Sequence, residues 1–116
     1  MDKERANGGK GIRIQVLSSA ALICEEAANV FVEEVKLASV QKYKLVFILP
    51  SGATPILFYQ RIIARWKQEG FDLSSVLFFN MYEYVGLAPT HAGSYNQYFH
   101  TYFFADLLGK AKGVRP

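Results

Sequence analysis

Cysteine is almost missing. Cys24 stands alone among 116 residues, so neither an internal disulfide nor a cysteine zinc cage can form, and a disulfide-stapled scaffold is excluded. A reducing cytoplasm is the expected setting. Four prolines and nine glycines are too few for a collagen-like or low-complexity chain. No run reaches the roughly 18 apolar residues of a transmembrane helix, so no membrane partner is expected. The apolar stretch 14–24 behind the basic start is broken by Gln15, Ser18 and Ser19. It then meets Glu25 and Glu26 without a clean cleavage site, unlike a signal peptide. Charged residues make up 20% and apolar ones 51%, which excludes intrinsic disorder, because chains that stay unfolded lack this apolar mass.

The net charge of +3 invites a nucleic-acid reading, but seven of the thirteen basic residues sit near the ends: Lys3, Arg5, Lys10, Arg13, Lys110, Lys112 and Arg115. No basic stripe runs through the middle, so no nucleic-acid partner is expected. No histidine–carboxylate set has metal-ligand spacing, and neither a metal nor a cofactor is expected.

What is present has a clear order. Residues 1–11 are polar and glycine-rich, a flexible tail. In 12–17, Ile12, Ile14 and Val16 alternate with Arg13 and Gln15, the period of a short strand with one wetter face. Ser18 or Ser19 can cap a helix over about 19–38, with Ala20, Ile23, Ala27, Val30 and Phe31 on its apolar stripe and Cys24 as a small buried hydrophobe. Leu45-Val46-Phe47-Ile48-Leu49 reads as a strand buried on both faces. Thr54 suits the N-cap of the next helix and Pro55 its first position. Tyr59, Ile62, Ile63 and Trp66 form that helix's stripe, and Gly70 its terminator. A third strand lies in 75–81. Strand, helix, strand, helix, strand is the alternation of a doubly wound, mostly parallel α/β sheet, a Rossmann-like βαβαβ unit. After Ser94, a possible cap, Tyr95, Phe99, Tyr102 and Phe103 share one helical face, read as core. If that face were bare it would drive self-association, and a homo-oligomer is expected. Three strands make a thin sheet, so 12–116 is expected to be the N-terminal part of a larger domain.

Two segments fall at strand carboxyl ends, where open α/β sheets bind ligands. In Ser51-Gly52-Ala53-Thr54, a helix amino-terminus offers unpaired N–H groups to an anion, Gly52 permits close approach, and Ser51 and Thr54 add hydroxyls. An ordinary capped turn would use the same residues. Past the third strand, Asn80 and Glu83 are candidates for binding or acid–base work, or else exposed loop residues. His91 sits in a turn, and His100 lies off the aromatic stripe.

Leu49-Pro50-Ser51-Gly52-Ala53-Thr54-Pro55, Phe79-Asn80-Met81-Tyr82-Glu83-Tyr84-Val85-Gly86-Leu87, His91 and Ser94-Tyr95 together resemble the glucosamine-6-phosphate deaminase (isomerase) family over roughly residues 12–108. The resemblance implies an amino-sugar phosphate ligand, glucosamine 6-phosphate or fructose 6-phosphate. The reaction it implies converts glucosamine 6-phosphate and water to fructose 6-phosphate and ammonia. It also implies phosphate binding at Ser51, Gly52, Ala53 and Thr54. The general base of the family is the first residue of an Asp-Glu-Tyr triplet and moves a proton between C2 and C1 of the opened sugar.

That position is Tyr82 here. A phenol ordinarily titrates near 10, leaving about one part in a thousand as phenolate at pH 7, whereas a useful base titrates near the working pH. Glu83 is a weak substitute, since neighbours in an extended segment point to opposite sides. The family's ring-opening histidine, its acidic partners and further phosphate-binding basic residues are implied to lie beyond Pro116. The expectation is a deaminase-like chain that is inactive alone. The alternatives are a non-catalytic sugar-phosphate-binding or assembly module, a 6-phosphogluconolactonase-like hydrolase, and a degenerate fragment without a function of its own. The lactonase branch typically carries Asp-Glu-Arg followed by Val-Pro where this chain has Tyr82-Glu83-Tyr84-Val85-Gly86.

Overall fold

The computed structural model describes the backbone of residues 3–6 and the chain over 11–107. The remainder of the expected tail and the expected closing loop, 109–116, lie outside the described residues. Strands β1 (Lys3–Ala6) and β2 (Arg13–Val16) precede helix α1 (Ala20–Gln41), strand β3 (Leu45–Leu49), helix α2 (Ile56–Glu69), strand β4 (Val76–Asn80) and helix α3 (Tyr95–Tyr102). A single 3₁₀ turn, Phe104–Asp106, follows α3.

The parallel α/β unit expected from the sequence is present: β3 and β4 pair in parallel, Leu45 opposite Val76 through Leu49 opposite Asn80, with α2 as the crossover. The first strand departs from expectation. β2 joins no parallel ladder; it pairs antiparallel with β1, Lys3 opposite Val16, in a separate two-stranded sheet. A strand's backbone groups need partners, and here a segment read as tail supplies them.

The helices form where the sequence provides caps, but the buried face of α1 is not the expected one: Ala20, Ile23, Ala27 and Val30 are exposed, and Ala28, Phe31, Val32, Val35 and Ala38 are buried. Ser19 closes the start of α1 by accepting from the Leu22 N–H at 3.2 Å, and α1 runs beyond the expected end to Gln41. Cys24 is half-buried. Gly70, in the left-handed region, ends α2 by donating its N–H to the Trp66 carbonyl at 2.7 Å. The start of α2 differs: the helix begins at Ile56, Pro55 occupies the cap position, and Thr54 makes no capping bond. Arg65 of α2 bonds Asn29 of α1 at 2.9 Å, and Lys36 of α1 pairs with Glu69 of α2, fixing the two helices side by side.

The core fills one side of the parallel sheet. Leu49, Val76, Phe31, Val32, Tyr59, Ile62, Phe99 and Phe103 are buried together, and Phe47 and Phe78 pack against them. The aromatic face after Ser94 is therefore covered: Phe103 meets Tyr59 at 5.0 Å and Phe78 at 5.6 Å between ring centroids. Tyr102 alone of that stripe is left exposed. The strand expected to be buried on both faces is buried on one. Val46, Ile48, Leu77 and Phe79 point to the other face and are 53%, 62%, 47% and 54% exposed. The period-two alternation of a strand puts them there, and no described helix covers that side.

Candidate functional site

Pairing of Leu49 with Asn80 brings the segments after β3 and β4 out side by side at the carboxyl end of the parallel sheet. The Met81 N–H continues the ladder to the Leu49 carbonyl at 3.3 Å. Residues 50–55 and 81–86 thus leave the sheet from paired strand ends.

The first segment is a tight turn. Gly52 has φ +102 and open space where a Cβ would stand, a conformation that costs glycine nothing and an L-residue a good deal. The N–H groups of Ser51, Gly52, Ala53 and Thr54 have no hydrogen-bond partner among the described residues, whereas the Ala53 carbonyl accepts from Ile56 at 3.4 Å. Gly52, Ala53 and Thr54 are exposed and Ser51 half-buried. The turn thus carries four N–H donors without a protein partner among the described residues, a feature that suits an oxyanion.

The second segment separates its candidate residues. Tyr82 is 63% exposed and has no hydrogen bond among the described residues. Glu83 is fully engaged: its Oε1 accepts from the N–H groups of Tyr95 at 2.9 Å and Tyr84 at 3.0 Å, and its Oε2 from Asn96 at 2.9 Å. It serves as a carboxylate cap on the amino-terminus of α3, alongside Ser94, whose Oγ accepts from Gln97 at 3.0 Å. These backbone donors, Tyr95 first, hold the Glu83 carboxyl below its ordinary pKa. Asn80 ends β4 and is exposed. The Tyr84 and Tyr95 rings stack at 5.1 Å with their hydroxyls 3.3 Å apart. His91 is a turn residue, its Nδ1 accepting from the Gly93 N–H at 2.9 Å. His100 is exposed. Among the described residues no His, Cys, Asp and Glu cluster could hold a metal ion, and no helix is long and apolar enough to cross a membrane.

The capping role of Glu83 was invisible locally because its partners lie twelve and thirteen positions away. It carries a pH prediction. A group whose carboxyl pKa is lower folded than unfolded stabilises the folded state at neutral pH, and that contribution fades as pH falls through the lowered value. The Tyr95 and Asn96 amide resonances are therefore expected to titrate together with a midpoint below about 4.3, the ordinary glutamate value, and Glu83→Gln should abolish the transition. A midpoint at or above that value would contradict the cap.

No family model matches the chain. Its α/β fold is shared with solved structures. A monomeric glucosamine-6-phosphate deaminase described as the missing link of the NagB superfamily superposes with a TM-score of 0.70 at 23% identity, over 78% of this chain and 36% of that one. A protein from Neisseria gonorrhoeae assigned as a 6-phosphogluconolactonase superposes with a TM-score of 0.63 at 20% identity, over 85% of this chain and 39% of the other. Sequence narrows the class. The chain is 32% identical over 106 residues, 90% of its length, to the glucosamine-6-phosphate deaminase of Shewanella halifaxensis. It is 33% identical over 85 residues to glucosamine-6-phosphate deaminase 2 of Bacillus subtilis. Over most of its length it is similar to glucosamine-6-phosphate deaminases, and it spans 39% and 32% of the lengths of those two relatives.

Proposed function

We propose that these residues form a sugar-phosphate-binding unit of a deaminase-related protein, active in amino-sugar metabolism in the cytoplasm, that binds glucosamine 6-phosphate or fructose 6-phosphate but does not deaminate unaided. The observation that supports the reading is the turn at 51–54 with its unpaired N–H groups, which follows β3 as residue 82 follows the paired strand β4. A phosphate seated on the turn would place a sugar near the position where the family resemblance implies a base. Tyr82 there offers a phenol, a hydrogen-bond donor and a flat face, in place of a carboxylate. Glu83 cannot stand in, since both its oxygens already accept backbone N–H groups.

The test is a titration of the isotope-labelled chain with glucosamine 6-phosphate, followed by amide resonances, with ammonia release measured on the same sample. Amides 51–54 should shift at millimolar ligand with no ammonia above background. Silence of those amides, or ordinary turnover, refutes the proposal. Hydrolysis of 6-phosphogluconolactone by the same material would favour the lactonase branch instead, against which Tyr84-Val85-Gly86 speaks.

Self-association belongs to the same reading, on different grounds from the aromatic face, which is buried. Val46, Ile48, Leu77 and Phe79 make an uncharged apolar patch that two copies can bring together without charge repulsion. Burying one such side chain is worth about 1.5–3 kcal/mol. Phe79→Lys is accordingly expected to weaken association by about tenfold or more in sedimentation velocity. A monomeric parent chain would refute it.

A further inference from the structure

The glycine turn is held from behind by two tyrosine hydroxyls. Tyr59 of α2 donates to the Pro50 carbonyl, and Tyr98 of α3 donates to the Gly52 carbonyl at 2.6 Å. The described peptide bonds are all trans, and in a planar trans peptide the carbonyl and the N–H of the following residue point in opposite directions. Anchoring the Pro50 carbonyl on Tyr59 therefore aims the Ser51 N–H away from Tyr59. Anchoring the Gly52 carbonyl on Tyr98 likewise aims the Ala53 N–H away from Tyr98. Both N–H groups lack a partner among the described residues. Without the two hydroxyls, the Pro50–Ser51 and Gly52–Ala53 peptide planes could swing and present carbonyl oxygens, which repel an anion.

We propose that Tyr59 and Tyr98 are positioning residues of the phosphate turn, fixing through the Pro50 and Gly52 carbonyls the direction in which the Ser51 and Ala53 N–H groups are offered. The ligand in this inference rests on the sugar-phosphate reading above; the orientation of the turn does not. The hydroxyls are themselves well placed. Tyr59 is buried, its ring set 5.0 Å from Phe103 and 6.0 Å from Phe99, and Tyr98 meets Phe99 at 4.9 Å. Burial raises the pKa of both phenols, so both remain donors across the physiological range. Tyr59 and Tyr98 thus have two uses: their rings pack against Phe99 while their hydroxyls orient the turn.

Phenylalanine at either position retains the ring and removes only the donor. The deciding experiment follows amide resonances and hydrogen exchange in the full chain, in Tyr98→Phe and in Tyr59→Phe. Each is measured alone and with glucosamine 6-phosphate, and unphosphorylated glucosamine serves as the control. Without ligand, the Ala53 amide should shift and exchange differently in Tyr98→Phe, and the Ser51 amide in Tyr59→Phe, while α1 amides stay put. Affinity for glucosamine 6-phosphate should fall about fivefold in each variant, the equivalent of one hydrogen bond, and any response to glucosamine should not change. Unaltered turn amides and unaltered affinity in both variants overturn the proposal. If the variants move the turn amides but the parent chain ignores the sugar phosphate, the orienting role stands and the ligand assignment falls.

Discussion

Joined to the remainder of a glucosamine-6-phosphate deaminase, this chain carrying Tyr82→Asp is expected to release ammonia from glucosamine 6-phosphate about a thousandfold faster than the same chimera with Tyr82. The size follows from proton chemistry. A positioned general base contributes about 10²–10⁴ in rate, and Tyr82 puts a phenol where the resemblance implies a carboxylate. The nearest carboxylate gives no rescue, because Glu83 has its oxygens turned to the Tyr95 and Asn96 N–H groups at 2.9 Å each. Moving it towards a sugar would leave the Tyr95 and Asn96 N–H groups of α3 without their acceptor. Tyr82 is exposed and unbonded, so aspartate fits there without disturbing packing. Equal rates for the two chimeras would show that residue 82 is not the base position. Loss of the rate gain on adding Glu83→Gln to Tyr82→Asp would instead mean that the cap at α3 is needed to hold the loop.

Periodicity made the helices and the parallel pair legible. Tyr59, Ile62 and Ile63 recur at helical spacing and all three are buried on α2, and the uninterrupted apolar runs at 45–49 and 76–79 are the two paired strands. Ser19, Ser94 and Gly70 act at helix ends as their chemistry suggests. What escaped the sequence is what depends on distant partners. The pattern at 12–17 is a strand, but nothing local says that it pairs with Lys3–Ala6 and not with the parallel sheet. The run at 45–49 cannot show that Val46 and Ile48 face outward, since a continuous apolar strand looks the same whether one side or both are covered. Thr54 next to Pro55 looks like a cap, yet the helix starts one residue later than that reading requires. At the site, the turn and the position of residue 82 were readable because they follow strand ends. The engagement of Glu83 and the hydroxyl bonds of Tyr59 and Tyr98 were not, being contacts across 12, 9 and 46 positions of chain.

Phe103→Ala should cost about 3–5 kcal/mol of stability, the usual range for emptying an aromatic core position, read as a fall in the urea midpoint. Phe103 is wholly buried and joins three elements. Its ring lies 5.0 Å from Tyr59 on α2, 5.6 Å from Phe78 on β4 and 5.2 Å from Phe104 in the closing turn. A domain stable by about 5–15 kcal/mol would lose a large fraction of that margin. Tyr102→Ala next to it should cost less than about 1 kcal/mol, because Tyr102 is exposed and surface truncations are usually small. Similar losses for the two would mean that α3 is not part of the core. The consequence reaches the site as well. α3 carries Tyr98, which holds the Gly52 carbonyl, and the Tyr95 and Asn96 N–H groups, which hold Glu83. Under conditions where Phe103→Ala is still folded, loosening of α3 should release both segments at once. The amides of 51–54 and of 83–86 should then broaden together while those of α1 remain sharp. Independent behaviour of the two segments would mean that each is fixed by its own strand end, and that α3 only covers them.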